Sequence, residues 1–103
     1  MVKRIGKSAR RVGYNLERDT VNFLRDKGIF AIRINSMAQR GIFRPVDVVA
    51  APRDTGPEFI QCKRRRKYLH KEETERLKLV CTQFGAKPIL CFRDRGLVFE
   101  PIK

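Results

Sequence analysis

The chain has 103 residues, enough for one domain with a modest core, and 42% of them are hydrophobic, which argues against a disordered chain. Lys and Arg number 24 against 11 acids, a net charge of +13. So large an excess repels itself in the compact state unless a polyanion neutralises it, which points to nucleic acid rather than a small-molecule substrate.

Residues 1–13 carry five basic residues and no acid, and read as a basic N-terminal arm. They lack the apolar stretch of a signal peptide, and no run approaches the roughly 20 apolar residues of a membrane span. An intracellular protein with no membrane partner is expected. Residues 14–27 read as a helix ended by Gly28, with Leu16, Thr20, Phe23 and Leu24 on its inner stripe. Glu17 lies one and two turns before Val21 and Leu24, so its carboxylate points to the apolar side. Residues 29–34 read as a strand and 35–43 as a polar loop. A β-branched run over 46–51 predicts a second strand, and Thr55-Gly56-Pro57 a turn. Residues 58–63 predict a third strand, leading into the basic connection 64–69.

A second helix is predicted over 71–84. Glu72, Glu73 and Glu75 suit its positive N-terminal end, while Leu77, Val80, Cys81 and Phe84 follow helical spacing up to Gly85. Residues 87–92 and 97–100 predict a hairpin around Asp94-Arg95-Gly96. The order is αβββαββ, an α/β fold in a single domain spanning residues 1–103. Cys62, Cys81 and Cys91 show no CxxC spacing and read as reduced core thiols. With His70 as the only histidine, a zinc site is not expected.

Side chains alternate along a strand, so Phe59, Gln61 and Lys63 share one face, and Asp47 is expected to share one with Val49 and Ala51. If the second and third strands are antiparallel neighbours, Asp47, Gln61 and Lys63 converge, and Glu17 can reach them from the first helix. Mg²⁺ is a hard cation that takes such oxygen ligands. Asp47 would give a bridging carboxylate, Gln61 a neutral amide oxygen, and Glu17 a direct or water-borne contact. Lys63 would offset charge on the pentavalent phosphorus. Each residue also has a structural reading. Asp47 could be a strand-edge acid, and Lys63 one more member of the run 63–67. Glu17 could pair with Arg10, Arg11 or Arg18, and Gln61 could be an ordinary strand polar residue. His70 reads as an exposed helix-start residue.

Glu17, Pro45-Val46-Asp47 and Gln61-Cys62-Lys63, in that order, resemble the PD-(D/E)xK nuclease superfamily. Within it the chain is most similar to archaeal-type Holliday-junction resolvases, through Gly13-Tyr14-Asn15-Leu16-Glu17-Arg18-Asp19 and Phe84-Gly85-Ala86-Lys87-Pro88-Ile89. The resemblance implies a restriction-endonuclease-like mixed central sheet flanked by helices. It also implies a homodimer that cuts two strands of a four-way junction with Mg²⁺ or Mn²⁺ to leave 5′-phosphates. Glu17, Asp47 and Lys63 would carry the matching roles, and Ser36 would match a serine near the scissile phosphate. The family has Glu or Asp where this chain has Gln61, a loss of one negative charge.

Two basic zones flank these residues: Lys3, Arg4, Lys7, Arg10 and Arg11 in the arm, and Arg64, Arg65, Arg66 and Lys67 after the third strand. Arg33, Arg40 and Arg44 add charge near the loop. Phosphate contacts position DNA without reading sequence, so the expected substrate is branched double-stranded DNA recognised by shape. Tyr68 is expected to pack in the core rather than stack on DNA. A non-catalytic DNA-binding module on the same fold and an RNA-binding protein are the competing readings.

Overall fold

The computed structural model describes the backbone of residues 5–35 and 39–103, with side chains from residue 15 onward in that range. Helix α1 (Ile5–Asp26) leads to β1 (Phe30–Arg33), β2 (Val48–Ala51) and β3 (Glu58–Cys62). Helix α2 (Lys71–Phe84) follows, then β4 (Lys87–Arg93) and β5 (Leu97–Pro101). Short 3₁₀ turns occupy Gly41–Phe43 and Arg66–Tyr68. The αβββαββ order is as expected from the sequence.

The strands lie in sequence order in one mixed sheet. β3 and β4 are parallel, and every other neighbouring pair is antiparallel. A parallel pair needs a long crossover, and α2 supplies it. The two helices cover opposite faces. Val21 and Leu24 of α1 pack with Val48, Ala50, Ile60, Ile89 and Cys91. Leu77, Val80 and Cys81 of α2 pack with Val46, and Val49 and Phe59 lie against them. Strands buried on both faces lose the apolar–polar alternation, which explains the continuous buried run Ile89, Leu90, Cys91 and Phe92. Ile60 is fully buried at the centre of the α1 side. Ile60→Val should therefore cost about 1 kcal/mol of unfolding free energy in urea titrations, with the m-value unchanged.

Local signals set the ends of both helices. His70 caps α2, and its side chain and that of Glu73 form a reciprocal capping box. Gly85 stops the helix with φ 65°, a left-handed conformation that Gly adopts without penalty. Thr20, buried in α1, donates to the Leu16 carbonyl at 2.7 Å and lies 3.3 Å from the Cys91 sulfur. All three cysteines are free thiols.

Several expectations are corrected. The first helix begins at Ile5, not residue 14, so most of the expected arm is helical backbone. One Gly in a helix interior costs only about 1 kcal/mol, and Gly13 does not break it. Phe23 is 38% exposed, and Val21 takes its place on the inner stripe. Phe23 instead stacks on Phe99, with ring centroids 5.5 Å apart. Phe84 is half exposed beside Phe43 and Phe59. Lys63 falls one residue past β3, although its N–H still donates to the Cys91 carbonyl.

Candidate active site

Asp47 sits just before β2, where the strand departs from simple alternation. Val46 and Val49 pack on the α2 side, whereas Val48 packs on the α1 side. The Asp47 N–H donates to the Ile60 carbonyl, and Val48 also pairs with Ile60. Two residues thus oppose one, the pattern of a β-bulge, a device that re-aims a side chain. The expected shared face of Asp47, Val49 and Ala51 is therefore broken at Asp47 itself. Its carboxylate instead reaches the end of β3, where one oxygen accepts the Cys62 N–H at 2.8 Å. The other accepts Gln39 Nε2 at 2.8 Å, and Gln39 also donates to the Val46 carbonyl.

Burial pushes the Asp47 carboxyl up to about 6, against the lowering pull of the Cys62 and Gln39 donors; the Glu17 charge raises it further and Lys63 lowers it. Asp47 thus feels Glu17 from α1 and Lys63 from the end of β3. A folded pKa above the ordinary 3.8 means that the folded state holds the proton longer than the unfolded chain. The associated stability is fully present below about pH 4 and is lost as pH rises through about 6. Asp47→Asn removes this slope. Between pH 4 and 7 the stability of the variant relative to wild type should rise by on the order of 2–3 kcal/mol, read from urea titrations at each pH.

Gln61 is 3% exposed, and its Nε2 donates to Glu73 Oε2 on α2 at 3.2 Å. The same Glu73 oxygen accepts Lys63 Nζ at 2.8 Å. Gln61 and Lys63 therefore do converge, on a helix carboxylate whose only expected role was at the helix N-terminus. Burial alone raises the Glu73 carboxyl; the Lys63 ammonium and the His70 N–H outweigh it, and the group lies below its ordinary value. Gln61 Oε1 is buried with no hydrogen-bond partner among the described residues. Glu17 is only part-exposed, as its inward helical position suggested, and accepts Arg33 Nε at 2.7 Å. The alternative reading, in which Glu17 pairs with Arg18, is not what forms: Arg18 bonds Asp19. The side chains of Arg10 and Arg11 lie outside the described residues.

The profile of the archaeal Holliday junction resolvase family matches residues 8–103. The chain belongs to this family. Among solved structures, it is similar to Archaeoglobus fulgidus Hjc, a Holliday junction resolvase from an archaeal hyperthermophile. The two share 30% identity with a TM-score of 0.74, over 87% of this chain and 77% of that one. No curated protein sequence matches. The mixed five-stranded sheet with two helices is that of the PD-(D/E)xK-type resolvases, as the sequence implied.

By chemistry, the carboxylates of Asp47 and Glu17 and the amide oxygen of Gln61 are the oxygen donors that a hard divalent cation would take. Two observations agree with that fit. Gln61 Oε1 lacks a partner, and Asp47 has a raised affinity for a proton, the smallest positive charge available to it. Among the described residues, no three of His, Cys, Asp and Glu form a ready metal cluster. Glu17, Asp47 and Glu73 are engaged instead with Arg33, Gln39 and Lys63.

The basic run leaves β3 beside this site. Arg64, Arg65 and Lys67 are exposed, whereas Arg66 is committed to Glu100 of β5 through bonds of 2.8 and 3.0 Å. Tyr68 is exposed and not in the core as expected. Its hydroxyl accepts Arg64 at 3.3 Å, and Arg64 and Lys67 lie 5.5 and 5.6 Å from its ring centre. Arg40 and Arg44 are exposed on the loop before β2. Lys3, Arg4 and Ser36, and the side chains of Lys7, Arg10 and Arg11, lie outside the described residues. An Arg64→Ala/Lys67→Ala double variant should reduce the slope of log K against log salt for DNA by about 2, measured by fluorescence anisotropy. No helix among the described residues is long and apolar enough to cross a membrane.

Proposed function

We propose that this chain is a divalent-metal-dependent endonuclease that resolves four-way DNA junctions by paired phosphodiester hydrolysis, leaving 5′-phosphates. One observation carries the reading within the family: Asp47 is re-aimed by a bulge onto the end of β3, within the electrostatic reach of Glu17 and Lys63. Glu17, Asp47 and Gln61 would hold Mg²⁺ or Mn²⁺. A cation held there would supply Lewis-acid polarisation of the scissile phosphodiester. Lys63, the ammonium next to the strand end, would stabilise negative charge developing on the phosphoryl oxygens. Arg64, Arg65 and Lys67 would hold the flanking backbone and fix its orientation without reading bases.

Paired cuts call for two sites, and a homodimer would supply them. Leu79 and Phe84 on α2 and Ile42 beside it are exposed apolar side chains, which favours that face for the contact between copies. The competing reading is a DNA-binding relative that no longer cuts, favoured by the neutral Gln61. A labelled four-way junction, a matched duplex and a single strand, each with Mg²⁺, Mn²⁺ or EDTA, separate the two. Symmetric nicks confined to the junction and abolished by EDTA are expected. Binding without cleavage under every metal condition would establish the non-catalytic reading, and cleavage of plain duplex would indicate another nuclease specificity.

A further inference from the structure

We propose that Gln39, in the loop before β2, is a positioning residue that aims the Asp47 carboxylate, bonding it and the backbone beside it with one amide. Its Nε2 lies 2.6 Å from the Val46 carbonyl oxygen and 2.8 Å from Asp47 Oδ1. A side-chain amide nitrogen carries two protons, so each acceptor takes one. The reverse orientation of the amide would set its oxygen against two acceptors, so the network itself fixes which end faces Asp47. Val46 is buried, and its carbonyl and the Asp47 carboxylate are adjacent at the bulge. One side chain therefore spans both.

Two donors from separate elements hold the carboxylate. β3 supplies the Cys62 N–H to Oδ2, and the loop supplies Gln39 to Oδ1, both at 2.8 Å. Held by Cys62 alone, the group would pivot about Oδ2, and the second bond stops that rotation. Each carboxylate oxygen keeps further acceptor capacity, so neither bond closes the group to a cation. The main chain of Asp47 is pinned as well: its N–H donates to the Ile60 carbonyl at 2.9 Å, and its carbonyl accepts the Ile34 N–H at 2.8 Å. The Gln39 N–H donates to the Asn35 carbonyl at 3.1 Å, which turns the loop back so that the Gln39 amide reaches Asp47. With the backbone fixed, the side-chain torsions of Asp47 are what remains to be set, and Gln39 sets them. Misplacing a reacting group by about 1 Å can cost on the order of 100-fold in rate, so this bond has a consequence for chemistry as well as for folding.

The inference rests on the nuclease reading for its effect on cleavage, though not for the aim of the carboxylate. The test uses the full chain as wild type, Gln39→Met, Asp47→Asn and the double variant. Met keeps the length of the side chain but cannot donate. The Cys62 amide, read by ¹H–¹⁵N NMR, reports the bond to Asp47 Oδ2. Single-turnover cleavage at saturating junction, junction affinity in Ca²⁺ and thermal midpoints are measured alongside. In Gln39→Met the Cys62 amide proton should move upfield, in the same direction as in Asp47→Asn. Cleavage should fall by about 10- to 100-fold with junction affinity within about threefold of wild type, as expected when a partner of a ligating carboxylate is lost. The double variant should cleave no more slowly than Asp47→Asn, because the charge that Gln39 aims is already gone. A role confined to the Val46 carbonyl would instead lower the midpoint equally in both backgrounds and leave the Cys62 amide in place.

An unmoved Cys62 amide in Gln39→Met overturns the proposal, as does a double variant in which the two losses of rate multiply. Should Gln39→Met fail to fold, Gln39→Asn, one methylene too short to span both acceptors, is read in the same way. Cleavage by wild type that Gln39→Met leaves intact removes only this inference and keeps the nuclease reading. A displaced Cys62 amide in a chain whose wild type cleaves no DNA keeps the aim of Asp47 and removes the nuclease reading.

Discussion

Asp47→Asn should lower the rate of junction cleavage by on the order of a thousandfold, while junction affinity at low salt should stay within a few-fold of wild type. The separation follows from where the carboxylate sits. Both oxygens are turned inward, one to the Cys62 N–H and one to Gln39, so the residue contributes little to a phosphate-binding surface. Asn keeps one acceptor and the approximate shape, which spares the strand ends, but it removes the negative charge expected to hold a divalent ion. Net charge rises by one, so affinity for DNA should, if anything, improve. Single-turnover cleavage on a labelled junction, with anisotropy for binding in Ca²⁺, gives both quantities. Cleavage within tenfold of wild type would reduce Asp47 to a strand-edge acid, as one reading of the sequence allowed.

The same residue shows what was legible in the sequence and what was not. Helix α2 was readable almost to the residue, because its charged start, its apolar spacing and Gly85 are all local signals. The antiparallel β2–β3 pair was readable from two β-branched runs around a Gly/Pro turn. The direction of Asp47 was not. Alternation along a strand is a local rule, and a bulge breaks it through pairing with another strand that the sequence around residues 46–48 does not announce. The early start of α1 did leave a trace: Ile5, Ala9, Val12 and Leu16 recur at helical spacing. The dense basic charge and Gly13 both weigh against a helix there and mask that spacing.

Glu73 was missed for a different reason. Two acids in the first turn of α2, Glu72 and Glu73, are fully explained by the helix dipole, so nothing in the sequence distinguishes the one that reaches across to β3. The choice is made by tertiary packing. α2 lies over β3, and Lys63 and Gln61 come within bonding distance of Glu73, whereas Glu72 pairs with Arg76 along its own helix. Gln39 was invisible on the same grounds. It sits in a polar loop, and only the folded chain brings its amide to Asp47.

Lys63→Met should lower cleavage by about 100- to 1,000-fold, the usual effect of losing one preorganised charge at a reacting centre. Met keeps most of the aliphatic stem and cannot donate, so packing at the end of β3 is largely retained while the ammonium is lost. Junction affinity should fall by no more than a few-fold, because Arg64, Arg65 and Lys67 remain exposed beside the site. The variant also leaves Glu73 without its strongest partner, so the carboxyl should titrate closer to its ordinary value, with burial then acting to raise it. A direct comparison with Arg65→Met decides between the two readings of the basic run. A positional role for Lys63 predicts a rate effect far larger than its binding effect, whereas Arg65→Met should change binding and its salt dependence and leave the rate at saturating DNA unaltered. Equal and small effects of the two substitutions would mean that Lys63 acts only as one more phosphate contact, and the cation near the scissile bond would have to be sought elsewhere in the cleft.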